Sequence, residues 1–315
     1  MKKKLIIRIS NEIGNQMFMY ASAYSIAKKM NRELFIDNET AFLLKKNISK
    51  YALNNFKITS KVAEDNLKFK KISGYLTRKF LQNIDLVKSN KSFYIEPKNY
   101  NKIANHNENF LNKNFSDNLF LEGHFESEKY FLDFKKDIIK EFIYFDHDKF
   151  VKNPYYKNIL NNNSVGICLR QNRFSEGIGQ NNVTNNLKSN NFTIEQINYI
   201  NKSVSIIKSK LENPTFYIWS NELRNMDFQK FNFKFTTINL SNHDENIDNR
   251  ALAMFLLSQC KHFITIPSAF TWWGAWLSKY NNKIIIRPSS DCFSDFFTNN
   301  LDYWPADWIA VNEKS

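Results

Sequence analysis

The chain has 315 residues, of which 43% are hydrophobic and 16% aromatic, and its formal net charge is +13. This length suits two domains of about 150 residues each, and the apolar content excludes an intrinsically disordered chain. No run of about 18 apolar residues occurs, so we expect no membrane-spanning helix.

The basic charge is dispersed rather than clustered, and the longest lysine run is Lys2-Lys3-Lys4. Such a charge suits a solvated surface or anionic partners, here a nucleotide-sugar and a lipid-linked acceptor. No nucleic-acid-binding motif accompanies it, so nucleic-acid binding is the weakest interpretation. The cysteines have neither metal-type nor disulfide-type spacing, which favours a reducing cytoplasm; they are Cys168, Cys260 and Cys292.

Strand-like and helix-like patterns alternate along the first half of the chain. The apolar segment near the N-terminus is too short and too charged for a signal peptide, and it predicts a buried first strand. The predicted elements are, in order, a strand at 5–10, a helix that includes 17–28, strands at 34–37 and 120–125, and a helix at 127–143. Residues 40–115 show no clear pattern, and we expect acceptor-binding loops there.

The second half begins after a polar segment, 146–163, which contains a proline and ends in an asparagine run. We interpret this segment as the domain junction. The elements predicted beyond it are strands at 164–169, 215–220, 235–240, 262–267 and 283–287, and helices at 193–211, 248–260 and 270–279. This alternation predicts an α/β fold with parallel sheets flanked by helices, in two domains at 1–150 and 151–315.

The first candidate site lies where the first strand turns into a helix. Gly14 permits a close backbone approach, and the amides of a helix N-terminus attract anions. Asn15 and Gln16 add side-chain donors that suit a sugar or a phosphate. A tight turn with an N-capping asparagine explains the same residues equally well.

A second candidate site follows the apolar strand 262–267. Ligands of open α/β sheets bind beyond the carboxyl ends of the strands, so the segment that starts the next helix predicts a pyrophosphate cradle. The cradle residues are Ser268, Ala269, Phe270 and Thr271. The alternative is an ordinary helix cap followed by core tryptophans.

Polar side chains also end the two strands at 164–169 and 215–220. Arg170 predicts a fork onto phosphate oxygens and stabilisation of a departing diphosphate, and a surface salt bridge is the alternative. Ser220 and Glu222 follow the other strand, where a carboxylate suits the N1 and N2 edge of guanine. A helix N-cap with an acidic first turn is the simpler explanation of that pair.

One rival pattern points to a metal. Asp146 and Asp148 form a DxD pattern, which can hold a divalent cation against a nucleotide diphosphate. The pattern occurs in the polar junction rather than at a strand end, which favours a solvated turn. The five histidines are far apart in sequence and form no zinc motif, so we predict no metal site.

Five segments taken together resemble glycosyltransferase family 11, the α-1,2-fucosyltransferases. They are Ile13–Ala21, Leu121–Phe131, Leu256–His262, Pro267–Leu277 and Trp304–Ile309. The resemblance implies a GT-B-like fold, with an N-terminal domain on the acceptor side and a C-terminal domain that binds the GDP-sugar. It also implies an inverting transfer of fucose from GDP-β-L-fucose, without a metal or other cofactor, to a hydroxyl of an oligosaccharide, such as the 2-OH of a galactoside.

The resemblance also carries over to single residues, with one departure. Arg170 matches the family's arginine for the donor phosphates, and Ser268 and Thr271 match its diphosphate loop. Glu222 matches an acidic position that is linked to guanine in relatives. Asn15 and Gln16 match the family's N-terminal motif. Where the family shows His-x-Arg-Arg-Gly-Asp-Tyr, the chain has Cys168-Leu169-Arg170-Gln171-Asn172-Arg173-Phe174. We expect Arg173 to replace the lost positive charge. The departure keeps open another GDP-deoxyhexose or a GDP-heptose as donor, and a non-catalytic GDP- or glycan-binding homologue.

The acceptor hydroxyl must lose a proton, and a base must lie within hydrogen-bond reach of it. Glu176, in the loop after Arg170, is the first candidate base, and Glu12 beside the N-terminal glycine is the second. A surface acid is the alternative for both. The basic surface and the missing span predict a cytoplasmic enzyme in peripheral contact with the inner membrane, where lipid-linked glycans are found.

Overall fold

The structure, a computed structural model, describes residues 2–43, 49–87, 91–97, 106–177, 179–223, 226–240, 247–293 and 302–312. It divides into two compact units, Met1–Phe145 and Asp146–Ser315, which we call unit 1 and unit 2. The boundary predicted from the sequence, between residues 150 and 151, lies five residues later, at the end of the helix His147–Phe150. No helix in the described ranges combines the length and the apolar character that crossing a bilayer requires.

Unit 1 is built on a five-stranded parallel sheet with the order β3-β2-β1-β5-β4. The central strand β1 buries Leu5, Ile6 and Ile7, as expected for a parallel strand covered on both faces. The elements are β1 (Lys4–Arg8), α1 (Ile13–Lys29), β2 (Glu33–Asp37), β3 (Lys61–Val62), α2 (Lys71–Val87), β4 (Lys91–Ile95), β5 (Phe115–Glu122) and α3 (Lys135–Glu141).

Unit 2 is built on a six-stranded parallel sheet with the order β11-β10-β9-β6-β7-β8. Two short helices, α4 (His147–Phe150) and α5 (Pro154–Asn161), precede its central strand. The remaining elements are β6 (Asn163–Leu169), α6 (Val183–Lys210), β7 (Pro214–Ser220), β8 (Phe235–Thr237), α7 (Asn249–Ser258), β9 (His262–Ile264), α8 (Ala269–Leu277), β10 (Ile285–Pro288) and β11 (Ile309–Val311).

Two glycines let α7 and α8 approach the central strand of unit 2. The Leu257 side chain of α7 lies against Gly166 of β6 and against Gly274 of α8, and a Cβ at either glycine would overlap it. The tryptophans of α8 complete this core: Trp272 and Trp273 are fully buried, and the Trp272 indole donates to the carbonyl of Tyr303 at 2.8 Å. The tryptophan block is therefore packing, and it fixes the start of α8 beside β6.

The prediction of an α/β fold is confirmed, with differences in individual elements. The polar junction 146–163 contains α4 and α5 rather than an irregular linker, and Pro154 occupies the first turn of α5. Helix α6 begins ahead of the predicted 193, because Asn182 caps it through the Asn185 amide at 2.9 Å although its first turns lack an apolar period. Within 127–143 the chain forms two 3-10 turns before the shorter helix α3.

Candidate functional site

The strand order of unit 2 marks the position at which a ligand crevice is expected. The chain builds outward from β6 through β7 to β8, crosses back, and then builds from β9 to β11 on the other side. Ligands of open parallel sheets bind beyond the carboxyl ends of the strands at such a reversal. Arg170 directly follows β6, and Ser268 is the N-cap of α8, the helix after β9. Sequence positions about 100 residues apart therefore meet at one reversal.

The first turn of α8 presents backbone amides at this reversal. Ser268 precedes the helix, and its side chain makes no capping hydrogen bond. Amides of a first helical turn have no partner within the helix and attract anions. Ser268, Ala269 and Phe270 are partly exposed, whereas Thr271 is fully buried beside the Cys168 thiol, whose pKa burial raises to about 12. The predicted cradle thus consists of backbone and Ser268, with the Thr271 side chain turned inward.

Two side-chain amides, one buried and one at the surface, hold the backbone of the loop that follows β6. The Gln196 amide, fully buried on α6, accepts from the Arg170 N–H at 2.9 Å and donates to the Arg170 carbonyl at 2.8 Å. Asn221 does the same for Gln171, accepting from its N–H at 2.8 Å and donating to its carbonyl at 3.0 Å. The position of the Arg170 backbone is therefore fixed from both sides.

The Arg170 guanidinium is paired with a carboxylate of its own loop. Its Nε lies 3.1 Å from Glu176 Oε1 and its Nη2 lies 2.5 Å from Glu176 Oε2. The side chains are 36% and 37% exposed, so the pair is open to solvent. A guanidinium fork binds a carboxylate and a phosphate with the same two-pronged geometry. Arg173, the predicted second cation, lies exposed in the same loop.

The loop after β7 is tied to the arginine loop through Gln171. The Gln171 amide donates to Ser220 Oγ at 3.1 Å and to the Glu222 carbonyl, and Ser220 Oγ accepts from the Glu222 N–H at 3.2 Å. Ser220 is thus engaged within the protein, whereas the Glu222 side chain is partly exposed. Gln171 stands where the family pattern has its second arginine, and here it anchors the loop that carries Glu222.

Unit 1 has a corresponding reversal between β1 and β5, and the predicted Gly14-Asn15-Gln16 segment follows β1. Gly14 is buried in the first turn of α1. Gln16 is fully buried and its amide makes three hydrogen bonds: to the carbonyls of Asn11 (2.6 Å) and Lys50 (2.8 Å), and from the Ala52 N–H (2.8 Å). Gln16 therefore joins two loops and does not present its amide at the surface. The N-cap of α1 is Glu12, so the interpretation of an N-capping asparagine is wrong.

A polar cluster at this reversal was not predicted from the sequence. The Asn11 amide nitrogen lies 2.7 Å from His124 Nε2, and the His124 Nδ1 lies 3.7 Å from Glu126 Oε1, which also accepts from the Asn15 amide at 2.7 Å. Glu126 is almost completely buried, and the His124 side chain is 40% exposed. Glu96, whose pKa is raised by burial, accepts from the N–H of His124 at 2.8 Å. We call Asn11, Asn15, His124 and Glu126 the unit 1 cluster.

The other acids named from the sequence lie apart from these clusters or serve other contacts. Glu12 is exposed ahead of α1. Asp146 pairs with Lys149 at 2.8 Å, and the Asp148 side chain is fully solvent-exposed. Among the described residues, no group of three or more histidine, cysteine or acidic side chains is arranged to hold a metal ion.

The two parallel α/β units agree with the GT-B-like fold that was predicted. The chain belongs to glycosyl transferase family 11, whose family model matches residues 1–312. A solved structure of similar fold is that of a variant of Arabidopsis thaliana FUT1 in complex with GDP, with a TM-score of 0.52 and 12% identity over 92% of this chain and 71% of that chain.

Two Escherichia coli relatives are similar along nearly their whole length. One is the O-antigen biosynthesis glycosyltransferase WbnK, 24% identical over 98% of this chain and 95% of the relative. The other is an alpha-1,2-colitosyltransferase, 24% identical over 98% of this chain and 99% of the relative. The protein is thus a glycosyltransferase similar to enzymes of O-antigen synthesis and colitosyl transfer.

Proposed function

We propose that the protein transfers L-fucose from GDP-fucose to a hydroxyl of a surface oligosaccharide, with inversion at the anomeric carbon and without a metal ion. Family membership supports a glycosyl transfer, and a similar fold occurs in a structure that contains GDP. The preferred acceptor position is the 2-OH of a galactoside. Unit 2 binds the donor in this proposal, and unit 1 binds the acceptor.

The observation that carries the proposal is the paired guanidinium at the strand-order reversal of unit 2. Arg170 stands next in sequence to β6, its backbone is fixed by Gln196, and its fork holds a carboxylate in two-pronged geometry. A diphosphate in place of that carboxylate would gain a second contact with the amides that open α8. As the glycosidic bond breaks, negative charge develops on the diphosphate, and Arg170 stabilises that charge.

Recognition of the base is assigned to the neighbouring loop. Glu222 follows β7, and its backbone is held by Gln171 through the Glu222 carbonyl. The N1 and N2 groups of guanine are donors, which suit a carboxylate and which uracil does not offer in the same arrangement. We expect Glu222→Gln to weaken GDP binding more than it weakens UDP binding.

The similarity to a colitosyltransferase favours one specific alternative donor. Colitose is L-fucose without its 3-hydroxyl, so a site that accepts both sugars differs only in how it contacts that position. A site that hydrogen-bonds the 3-hydroxyl rejects the deoxy sugar strongly, because its own polar group is left unpaired. Competition between GDP-fucose and GDP-colitose for the same enzyme therefore shows which of the two sugars is the donor.

The unit 1 cluster suggests a base for the acceptor hydroxyl. With the Asn11 amide nitrogen as donor, His124 Nε2 is the acceptor nitrogen and the ring proton lies on Nδ1, toward Glu126. An acceptor hydroxyl that replaces Asn11 at Nε2 would pass its proton to the imidazole, and Glu126 would stabilise the imidazolium that forms. Glu176 is the base expected from the sequence, but its pairing with Arg170 favours the role of a counter-ion that donor phosphates displace.

The test is a calorimetric titration of GDP, GDP-fucose, GDP-colitose, GDP-mannose and UDP, with and without EDTA. We expect tight, EDTA-insensitive binding of GDP and of GDP-fucose, GDP-colitose or both. Better binding of UDP, or loss of binding in EDTA, would overturn the proposal and direct attention to Asp146 and Asp148. The anomeric configuration of the product, read by NMR, tests inversion.

A further inference from the structure

Helix α2 has its polar side facing the protein and its apolar side facing solvent. On the inner side, Arg78 and Gln82 are more than nine-tenths buried, and both donate to Glu122 Oε1, at 2.8 Å and 3.1 Å. On the outer side, Ile72, Leu76 and Phe80 are 80%, 61% and 64% exposed. A helix at the surface of a soluble domain normally shows the reverse pattern.

The outer residues form one continuous apolar stripe. Positions 72, 76 and 80 are four residues apart, so their side chains lie one above another along the helix. Tyr75, also exposed, lies at the edge of the stripe, within 6.0 Å of the Lys79 ammonium. Single exposed apolar residues are ordinary, but a stripe of large side chains on one helix indicates a binding surface.

The charges of α2 identify the kind of partner. The α2 sequence contains three basic residues, Lys71, Arg78 and Lys79, and one acidic residue, Asp85, near its end. Lys71 and Lys79 are exposed near the stripe, whereas Arg78 forms an ion pair with Glu122 on the inner side of the helix. An apolar stripe with aromatic residues and flanking lysines suits the interface of an anionic bilayer, where apolar groups enter the acyl boundary and lysines meet phosphate headgroups.

The inner contacts of α2 show that the helix is held in this orientation. Burial lowers the pKa of Arg8, which ends β1, and Arg78 lowers it further, so the two guanidinium groups are neighbours around Glu122 at the end of β5. Turning the helix to hide its stripe would separate Arg78 and Gln82 from Glu122, and breaking a buried, hydrogen-bonded ion pair is costly. The stripe therefore stays exposed by construction.

We propose that the α2 stripe, Ile72, Tyr75, Leu76 and Phe80, is a membrane-docking surface that binds the interface of anionic bilayers. The helix is anchored at the carboxyl ends of β1 and β5, the same edge of the unit 1 sheet from which the loops of the unit 1 cluster leave. Docking through α2 brings this edge to the bilayer, where a lipid-linked substrate is held. The inference concerns binding to the membrane and does not depend on the donor sugar.

The test is flotation of the full-length protein with vesicles of phosphatidylglycerol and phosphatidylethanolamine, against vesicles of phosphatidylcholine alone. The test variant carries Ile72→Ser, Leu76→Ser and Phe80→Ser. The matched control carries Val183→Ser, Leu187→Ser and Ile194→Ser, which remove three apolar side chains of α6 in unit 2 that are 77%, 58% and 43% exposed. Thermal unfolding followed by circular dichroism verifies that both variants fold.

We expect the wild type and the α6 variant to float with anionic vesicles, and the α2 variant to lose at least about tenfold in partitioning. Lys79→Glu should weaken binding, and about 1 M salt should do the same, because the Debye length then falls to about 3 Å. Equal loss in the α2 and α6 variants, or no binding of the wild type to anionic vesicles, would overturn the proposal. A wild-type dimer that the α2 variant converts to a monomer, without vesicle binding, would assign the stripe to a second copy of the chain instead.

Discussion

Replacing Glu176 should strengthen GDP binding, because in the proposed function Glu176 and the donor diphosphate compete for the Arg170 guanidinium. The Arg170 fork holds both Glu176 oxygens, so phosphates can bind Arg170 only after this pair opens. Glu176→Gln removes the negative charge and keeps the size of the side chain. The opposite result is expected for Arg170→Ala, which removes the fork itself.

The structure sets the size of both effects. The side chains of the pair are 36% and 37% exposed, and ion pairs open to solvent contribute about 0–1 kcal/mol. Glu176→Gln should therefore raise GDP affinity by no more than about fivefold. A hydrogen bond to a charged group contributes about 1.5–3 kcal/mol, so Arg170→Ala should weaken GDP binding by about 10- to 150-fold. Turnover should fall by at least about 100-fold in Arg170→Ala, since in the proposed mechanism the arginine also stabilises charge in the transition state.

The assay is a double-mutant cycle on GDP affinity, measured by calorimetry, with turnover recorded for each variant. In the Arg170→Ala background, Glu176→Gln should have no further effect, because the carboxylate no longer has a guanidinium to occupy. Arg170→Lys is the matched control: it keeps the charge and loses the fork, so its affinity should lie between those of wild type and Arg170→Ala. Weaker GDP binding in Glu176→Gln, or the same gain in both backgrounds, would refute the competition. A loss of turnover in Glu176→Gln by about 100-fold or more at unchanged affinity would restore Glu176 as the base.

Three further outcomes are expected. His124→Asn should lower turnover by about 100- to 10,000-fold with GDP affinity unchanged, and turnover within twofold of wild type would exclude His124 as the base. Glu126→Gln should shift the acidic limb of the plot of turnover against pH. Gly274→Ala should destabilise the protein by about 1–3 kcal/mol through overlap with Leu257, seen as a lower Tm, and an unchanged Tm would show that Leu257 can move aside. Burial lowers the pKa of His262 from 6.5 to about 4, so the unfolded chain takes up the proton first and stability should decline as pH falls through this range. The Tm of His262→Gln should therefore fall less between pH 6.5 and pH 4 than the Tm of the wild type. An equal fall in both proteins would assign the loss of stability at low pH to other groups.

The sequence predicted strands β6, β7, β9 and β10 of unit 2 well, because each is a short apolar run bounded by polar residues. The run Ser164–Leu169 of β6 is buried throughout, and buried parallel strands carry this pattern. Elements without such a run were missed. Strand β11 has only Val311 buried, and α2 has its apolar residues turned outward, so that neither matches a core-facing template.

The candidate site of unit 2 was foreseeable, and that of unit 1 was foreseeable only in part. Arg170 and Ser268 follow strands, and the rule for parallel sheets brings such positions together without knowledge of side-chain contacts. The unit 1 cluster depends on contacts between Asn11 and His124, which are more than 100 residues apart. His124 and Glu126 lie in one of the five segments that resemble the family, and this was the only indication of the cluster that the sequence offered. The spacing of residues in the sequence does not show that the Gln16 side chain makes three hydrogen bonds inside unit 1 and therefore does not face a ligand.

The clamp on the Arg170 backbone has a kinetic consequence. Because Gln196 and Asn221 fix the peptide groups of Arg170 and Gln171, the exchange of Glu176 for a phosphate needs only rotation about side-chain bonds. Rotamer changes of exposed side chains take picoseconds to nanoseconds, whereas loop rearrangements take nanoseconds to microseconds and also cost backbone entropy. In the proposed mechanism, entry of the nucleotide at Arg170 is then limited by encounter, and Glu176 is the anion that the guanidinium holds between turnovers.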